Sequence, residues 1–367
     1  MEEDEGYLSS LSKDLQSVYT SRKKELIKTI KAEFEKKLEF NKNSKKEGIE
    51  SDRRHRDLIN MCVFPFTDTG ALAQTNYKYI RAAPLSELNI PNFDFLLFKN
   101  DNQRNIAIFG ECKGSVSDPA AIVAETISRM KAVVDNLDTV KEKYLKLQKT
   151  SDLIIEYVIA VPSTYAIDVL NSVVKLKAKL IIWHAPLTGV AEISLAKPNK
   201  GVDALTRDML HSDNVLNTAL NHVTSNRKTF NYFPQGHTFS KLQSLLSAIK
   251  ISRESQKVIM KDELKRNLAQ DLFYAEEMVD TAVESLLSKG LEIGFLEVDQ
   301  NTGTYLIKGR GYRADILEGV LLDKWMGKQL GADLEEDIKQ GIERLKTEIN
   351  AEAQKTKKLG DYPQQQA

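Results

Sequence analysis

Asp94, Glu111 and Lys113 are the residues whose types and spacing best suit chemistry. They lie in the stretch PNFDFLLFKNDNQRNIAIFGECKGS, from Pro91 to Ser115. Two neighbouring carboxylates repel each other unless a cation lies between them. Hard divalent metals such as magnesium take a few carboxylate oxygens and complete their shell with water and phosphate oxygens. A lysine two residues after one of the acids can hold a phosphate or orient an attacking water. Together these are the parts of metal-assisted phosphodiester hydrolysis. The same residues would also serve an ordinary surface hairpin with a Glu–Lys pair.

The elements that must position these groups are two strands. Apolar runs from Phe93 to Phe98 and from Ile106 to Phe109 flank a segment rich in Asn and Asp. That pattern predicts a hairpin. A turn centred near Asn102 sets Asp94 across from Gly110 and Glu111. Side chains alternate along a strand, so Glu111 and Lys113 share a face.

Pro91, Asp94, Glu111 and Lys113 resemble the PD-(D/E)xK motif of the restriction-endonuclease-like nucleases, with two residues between Pro91 and Asp94. The resemblance implies a magnesium site held by Asp94, Glu111 and the backbone carbonyl of Cys112. It implies that Lys113 assists the nucleophilic water. It also implies a further acid on the preceding helix, for which Glu50 is the best match and Glu47 the alternative. The order helix, hairpin, helix, strand, helix, strand from Glu50 to about Ile193 is that of the family's core, a mixed central sheet flanked by helices. The fold class expected is therefore α/β, with a smaller, mainly α domain and helical termini.

The chain has 367 residues and is 41% hydrophobic, enough for two domains. Lys plus Arg and Asp plus Glu both total 52, so a nucleic-acid surface would have to be a local patch. Cys62 and Cys112 are the two cysteines, which suits a reducing compartment rather than a disulfide framework. No apolar run approaches a membrane span and no signal-peptide core is seen, so the expectation is a cytoplasmic protein without membrane contact. No GxGxxG, GxxxxGK[ST] or GxSxG pattern occurs, which gives no support to a dinucleotide site, a P-loop or a hydrolase elbow.

The patterning divides the chain into five segments: an N-terminal helical arm (1–48), a nuclease domain (49–196), a connector (197–238), a winged-helix-like domain (239–315) and a helical tail (316–367). Helix is expected over 7–40, with a polar break from Asn41 to Gly48 and a second helix from Glu50 to Cys62. Arg53, Arg54 and Arg56 cluster on that second helix and suit phosphate contact, or a solvated face. Residues 65–88 read as loop, with Tyr77, Lys78, Tyr79 and Arg81 suited to substrate or to core packing. Asp118 and Pro119 predict a helix start, and that helix is expected to reach about Leu147 with Ile122, Ile127, Met130, Val133 and Val134 inside. A helix from Asp203 to Val223 falls within the connector.

Three helices and a hairpin with a Gly turn at 299–303 resemble a winged-helix domain. Asp262 is expected to cap one helix and Gly290 to end another. The third helix would normally enter the major groove, yet it carries Glu276, Glu277, Asp280 and Glu284. Lys308, Arg310 and Arg313 on the wing, with Lys261, Lys265 and Arg266, are better placed for double-stranded DNA. Dimerisation or another protein contact is the rival role. Leu334, Ile338, Ile342, Leu345 and Ile349 form a narrow stripe, as do residues from Leu8 to Val18. Such stripes suit a homodimer, which would let two sites address two strands, or docking within one chain. The expectation is a magnesium-dependent endonuclease of the type II restriction class. A repair or recombination nuclease and a non-catalytic DNA-binding protein are the alternatives.

Overall fold

The computed structural model describes residues 2–67, 70–82, 84–85, 88, 91–101, 104–186, 194–196, 209–220, 239, 242–243, 245–246, 258–270, 276–308 and 314–360. In chain order the elements are α1 (Glu2–Ser9), α2 (Lys13–Val63), β1 (Lys78–Ala82), β2 (Phe95–Asp101) and β3 (Arg104–Cys112). Next come α3 (Pro119–Asp135), β4 (Ile154–Pro162), α4 (Ala166–Lys175), β5 (Ile181–Ala185), β6 (Ser194–Leu195) and α5 (Asn214–Ala219). The last elements are β7 (Val258–Ile259), α6 (Lys261–Gln270), α7 (Glu276–Glu292), β8 (Leu296–Val298), β9 (Tyr305–Ile307) and α8 (Ala314–Gly360). The chain divides into two units, Met1–Glu47 with Gly319–Ala367, and Gly48–Glu318.

The larger unit is built on a mixed six-stranded sheet in the order β1-β2-β3-β4-β5-β6. β1, β2 and β3 are antiparallel neighbours, β3, β4 and β5 run parallel, and β6 returns antiparallel. The central strands are apolar on both faces, as strands covered on both sides must be. Leu97, Ile108, Ala160 and Trp183 face one layer with Leu58, Ile59 and Cys62 of α2. Leu96, Phe109, Ile159 and Ile182 face the other, with Val123 and Val133 of α3 and Val169 and Val173 of α4. The hairpin register pairs Phe95 with Gly110. A Cβ on Gly110 would lie 1.9 Å from Cζ of Phe95, so only glycine lets the Phe95 ring lie across β3.

Several sequence expectations are corrected. Residues 41–48 do not break the helix, and α2 runs continuously from Lys13 to Val63. One Gly costs only about 1 kcal/mol in a helix, and no proline stops a helix already propagating. Residues 78–82 form a strand, not a loop, because β2 offers them an edge. Tyr77 is core. α3 is interrupted at Asn136, whose side-chain amide donates to the Ala132 carbonyl, and helical turns resume over Leu137–Thr139 and Val140–Tyr144, close to the expected end near Leu147. Val133, Ile122 and Met130 face the core as expected, joined by Val123 and Thr126, whereas Ile127 and Val134 are exposed.

Part of the expected connector belongs to the core. Residues 210–213 are not helical, Asp213 caps the short α5, and Leu216 and Leu220 pack on the α2 side of the sheet. The segment is pinned by a buried network. Trp183 Nε1 donates to His211 Nε2 at 2.9 Å, so Nδ1 carries the proton and donates to Glu156 Oε2 at 2.5 Å. Lys99 Nζ lies 2.8 Å from Asp213 Oδ2.

The second sheet has the order β7-β9-β8. Asp262 lies inside the first turn of α6 rather than at its cap. Gly290 is inside α7 because its bare Cα faces Leu296 of β8, where a Cβ would lie 2.6 Å away. The helix instead ends at Gly294, with φ +67°, Gly294 N–H bonded to Leu291 O and Phe295 N–H to Gly290 O. That double bond is the Schellman closure, which favours glycine at the left-handed position.

In the smaller unit, Tyr19, Leu345 and Ile349 are buried together against Tyr7, Leu8, Leu11, Leu15 and Val18. Tyr7 Oη–H donates to Lys346 O at 3.0 Å, and Arg22 pairs with Glu352 at 2.8 Å. The Leu345 and Ile349 end of one stripe therefore packs against the Leu8–Val18 stripe within one chain. No helix among the described residues is long and apolar enough to cross a membrane.

Candidate active site

Asp94 precedes β2, and its N–H donates to Gly110 O at 2.9 Å, which sets its side chain beside Glu111. Cys112 N–H donates to Asp94 Oδ2 at 2.6 Å. Glu111 points to the α3 side of the sheet and its side chain is 3% exposed. Lys113 Nζ lies 2.8 Å from Glu111 Oε1, and Arg129 Nη1 lies 2.6 Å from Oε2. The three residues predicted from sequence thus meet at the carboxyl end of β3.

The structure adds three partners. His55 Nε2 of α2 lies 3.2 Å from Asp94 Oδ2. Arg129 of α3 also bonds Glu125 Oε1 at 2.5 Å and the Asn92 carbonyl. Glu125 Oε2 is 3.6 Å from Lys113 Nζ. The extra acid at the site is therefore Glu125, from the helix after the hairpin. Glu50 pairs with Arg53 on α2 instead. The i,i+4 spacing of Glu125 and Arg129 is a visible sequence signal of a helical ion pair. Nothing in the sequence places that pair beside β3. His55 carries no signal beyond its basic neighbours.

Gly114 explains how α2 reaches the site. A Cβ there would lie 2.7 Å from His55 N and 3.0 Å from Arg54 C. The bare glycine lets the helix backbone press against the chain just after β3, and this delivers His55 to Asp94.

The electrostatics are those of a site poised between charge states. Burial, with the Asp94 charge second, pushes the Glu111 carboxyl up to about 7, while Lys113 and Arg129 pull it down. Burial opposes the charge on Lys113, but Glu111 outweighs it and raises the pKa. Burial likewise opposes protonation of His55, and its hydrogen bond to Asp94 overcomes this.

These residues fit magnesium as a partial cage. Asp94 and Glu111 are hard oxygen donors whose charges oppose each other. Lys113 N–H donates to Ala160 O of β4 at 2.9 Å. Across a trans peptide the Cys112 carbonyl then points the opposite way, toward Asp94. Two carboxylates and a carbonyl leave the remaining positions to water and phosphate, as magnesium prefers. Among the described residues no group of three or more His, Cys, Asp or Glu side chains forms a fuller cage. The Cys112 thiol is buried on the opposite face beside Cys62.

Compared with known protein families, curated proteins and solved structures, the chain matches none.

The residues expected to contact DNA divide. Arg54 is exposed, but Arg56 is 8% exposed and donates to Gln243 Oε1 at 2.8 Å. Arg56 is a core contact, not a phosphate ligand. Arg53 is exposed and paired with Glu50. Lys308 lies 3.5 Å from Glu297 on the small sheet. Lys261 pairs with Glu284, and Lys265 Nζ lies 2.6 Å from Asp280 Oδ1. Arg310 and Arg313 lie outside the described residues.

Proposed function

We propose that this chain is a magnesium-dependent DNA endonuclease of the type II restriction class, with a restriction-endonuclease-like core. The reading rests on one observation, the convergence of Asp94, Glu111, the Cys112 carbonyl and Lys113 at the end of one strand. Asp94 and Glu111 would hold the metal. Bound there, magnesium supplies Lewis-acid polarisation of a phosphodiester and lowers the pKa of water. Lys113 orients the attacking water against the phosphate. Arg129 holds the Glu111 carboxylate in place, and His55 does the same for Asp94. Burial of Glu111 keeps the field of these charges little screened. The small sheet with α6 and α7 is winged-helix-like in element order and offers Lys308 to the duplex.

The deciding experiment incubates purified full-length protein with supercoiled plasmid and phage DNA, with magnesium or with a chelator. Nicked or linear product is expected with magnesium only, and none from Asp94→Ala. Intact DNA across magnesium and manganese, at protein in excess of DNA, would dismiss the reading.

Glu111 gives the reaction a pH dependence. Its carboxyl is protonated below about 7, and a neutral carboxyl is a poor metal ligand. Magnesium-dependent cleavage should therefore fall about tenfold per pH unit on the acid side of that midpoint. Arg129→Leu removes a cation that pulls the Glu111 pKa down, so its profile should move to higher pH. Profiles of the two proteins at fixed salt check the sign. A midpoint that stays put or moves down in Arg129→Leu contradicts the assignment.

A further inference from the structure

We infer that Ser163 and His184 form a second phosphate contact, which takes the DNA backbone one or two phosphates from the bond that is cut. This deepens the nuclease reading and rests on it. β3, β4 and β5 are parallel, so their carboxyl ends lie along one edge. The register pairs Glu111 with Ile159, Ile159 with Ile182, and Val161 with His184. One step beyond Glu111, Lys113, Val161 and His184 therefore form a row across the sheet. Registered partners share a face, so His184 stands on the side of the sheet that carries Glu111 and Lys113. Below this row Ile159 and Ile182 are buried apolar core. In the row Val161 is still buried core, and the polar groups are Lys113 and His184 on either side of it. Ser163 follows β4 on the same face, two residues after Val161, and its Oγ lies 3.0 Å from His184 Nδ1. Ser163 is exposed and His184 half-buried. Ser194 of β6 lies opposite His184 and extends the polar edge.

Two strand spacings, about 10 Å, separate Lys113 from His184. Neighbouring phosphates of one strand rise about 3.4 Å along the axis and also rotate around it, so that distance reaches the next phosphate or the one after it. Their mutual bond uses one hydrogen, and the one that remains on the neutral pair is a donor that fixes a phosphate without reading sequence. A purely structural pair would only tie the end of β4 to β5.

The test uses the full chain and a short duplex. Anisotropy titrations in chelator measure binding, steady-state cleavage with magnesium measures KM and kcat, and melting measures stability. His184→Ala and Ser163→Ala are expected to weaken binding and raise KM about tenfold, the scale of one hydrogen bond to a charged group, with a smaller change in kcat. Ser163→Thr keeps the hydroxyl and should restore the affinity. Unchanged affinity and KM in both alanine variants, while wild type still cuts, would overturn this contact alone. A loss that merely tracks a lowered melting temperature and is not restored by Ser163→Thr would also overturn it, as a structural tie. Wild type that neither binds nor cuts DNA would remove the nuclease reading and this contact together.

Discussion

Lys113→Ala is expected to lower magnesium-dependent cleavage by about 100-fold or more, because the group that orients the water is gone. The side chain is 24% exposed and belongs to no apolar cluster, so its removal leaves no core cavity. Glu111 keeps Arg129 as a partner at 2.6 Å. The fold should survive, and a thermal melt with circular dichroism confirms that the protein compared is native. Single-turnover cleavage then isolates the chemical step. Undiminished cleavage by a purified, folded Lys113→Ala variant would end the assignment of Lys113. A loss confined to KM would recast it as a binding group.

The second large effect belongs to a residue with no side chain. Gly114→Ala should reduce cleavage by about 100-fold, the scale of a misplacement near 1 Å in a site of this kind. The added methyl would meet the backbone of Arg54 and His55, and backbone cannot swing aside as a side-chain tip does. α2 must then retreat from the end of β3 and take His55 away from Asp94. His55→Ala separates the two consequences. It removes the imidazole without moving the helix, so it should lose less activity than Gly114→Ala. Equal activity of Gly114→Ala and wild type would show that the close approach of α2 is dispensable.

Much of the site was legible because it is local. The two strands announce themselves by apolar runs around a polar turn, and period-two alternation then sets Glu111 and Lys113 on one face. The observed register, Phe95 to Gly110, puts Asp94 beside Glu111 as the hairpin required. Asp118 and Pro119 marked the start of α3, and the Asp118 side chain accepts from Ala121 N–H at 3.0 Å. Alternating runs of strand and helix led to parallel neighbours β4 and β5.

What stayed hidden depends on which element lies against which. Arg129 and Glu125 are far from Glu111 in sequence, and only packing of α3 on the sheet brings them to it. His55 reaches Asp94 because Gly114 opens a gap in another part of the chain. β1 is a short run broken by Lys78 and Arg81, and it is a strand because β2 presents an edge to it. Arg56 looked like part of a solvated basic patch until Gln243 gave it a buried partner.

By itself the sequence determined the α/β class, the β2–β3 hairpin, its three charged residues and the cap of α3. The hairpin, its charges and the cap are encoded locally by periodicity, turn chemistry or capping, and the class by the order of such local elements. Tertiary structure alone decided the partners of those charges, the role of Gly114, the place of His211 in the core and the packing of Leu345 and Ile349 on the N-terminal stripe. The physical reason is that an apolar stripe or a charged side chain specifies that it must be covered or paired, while the surface or partner that does so is chosen by the packing of the whole chain.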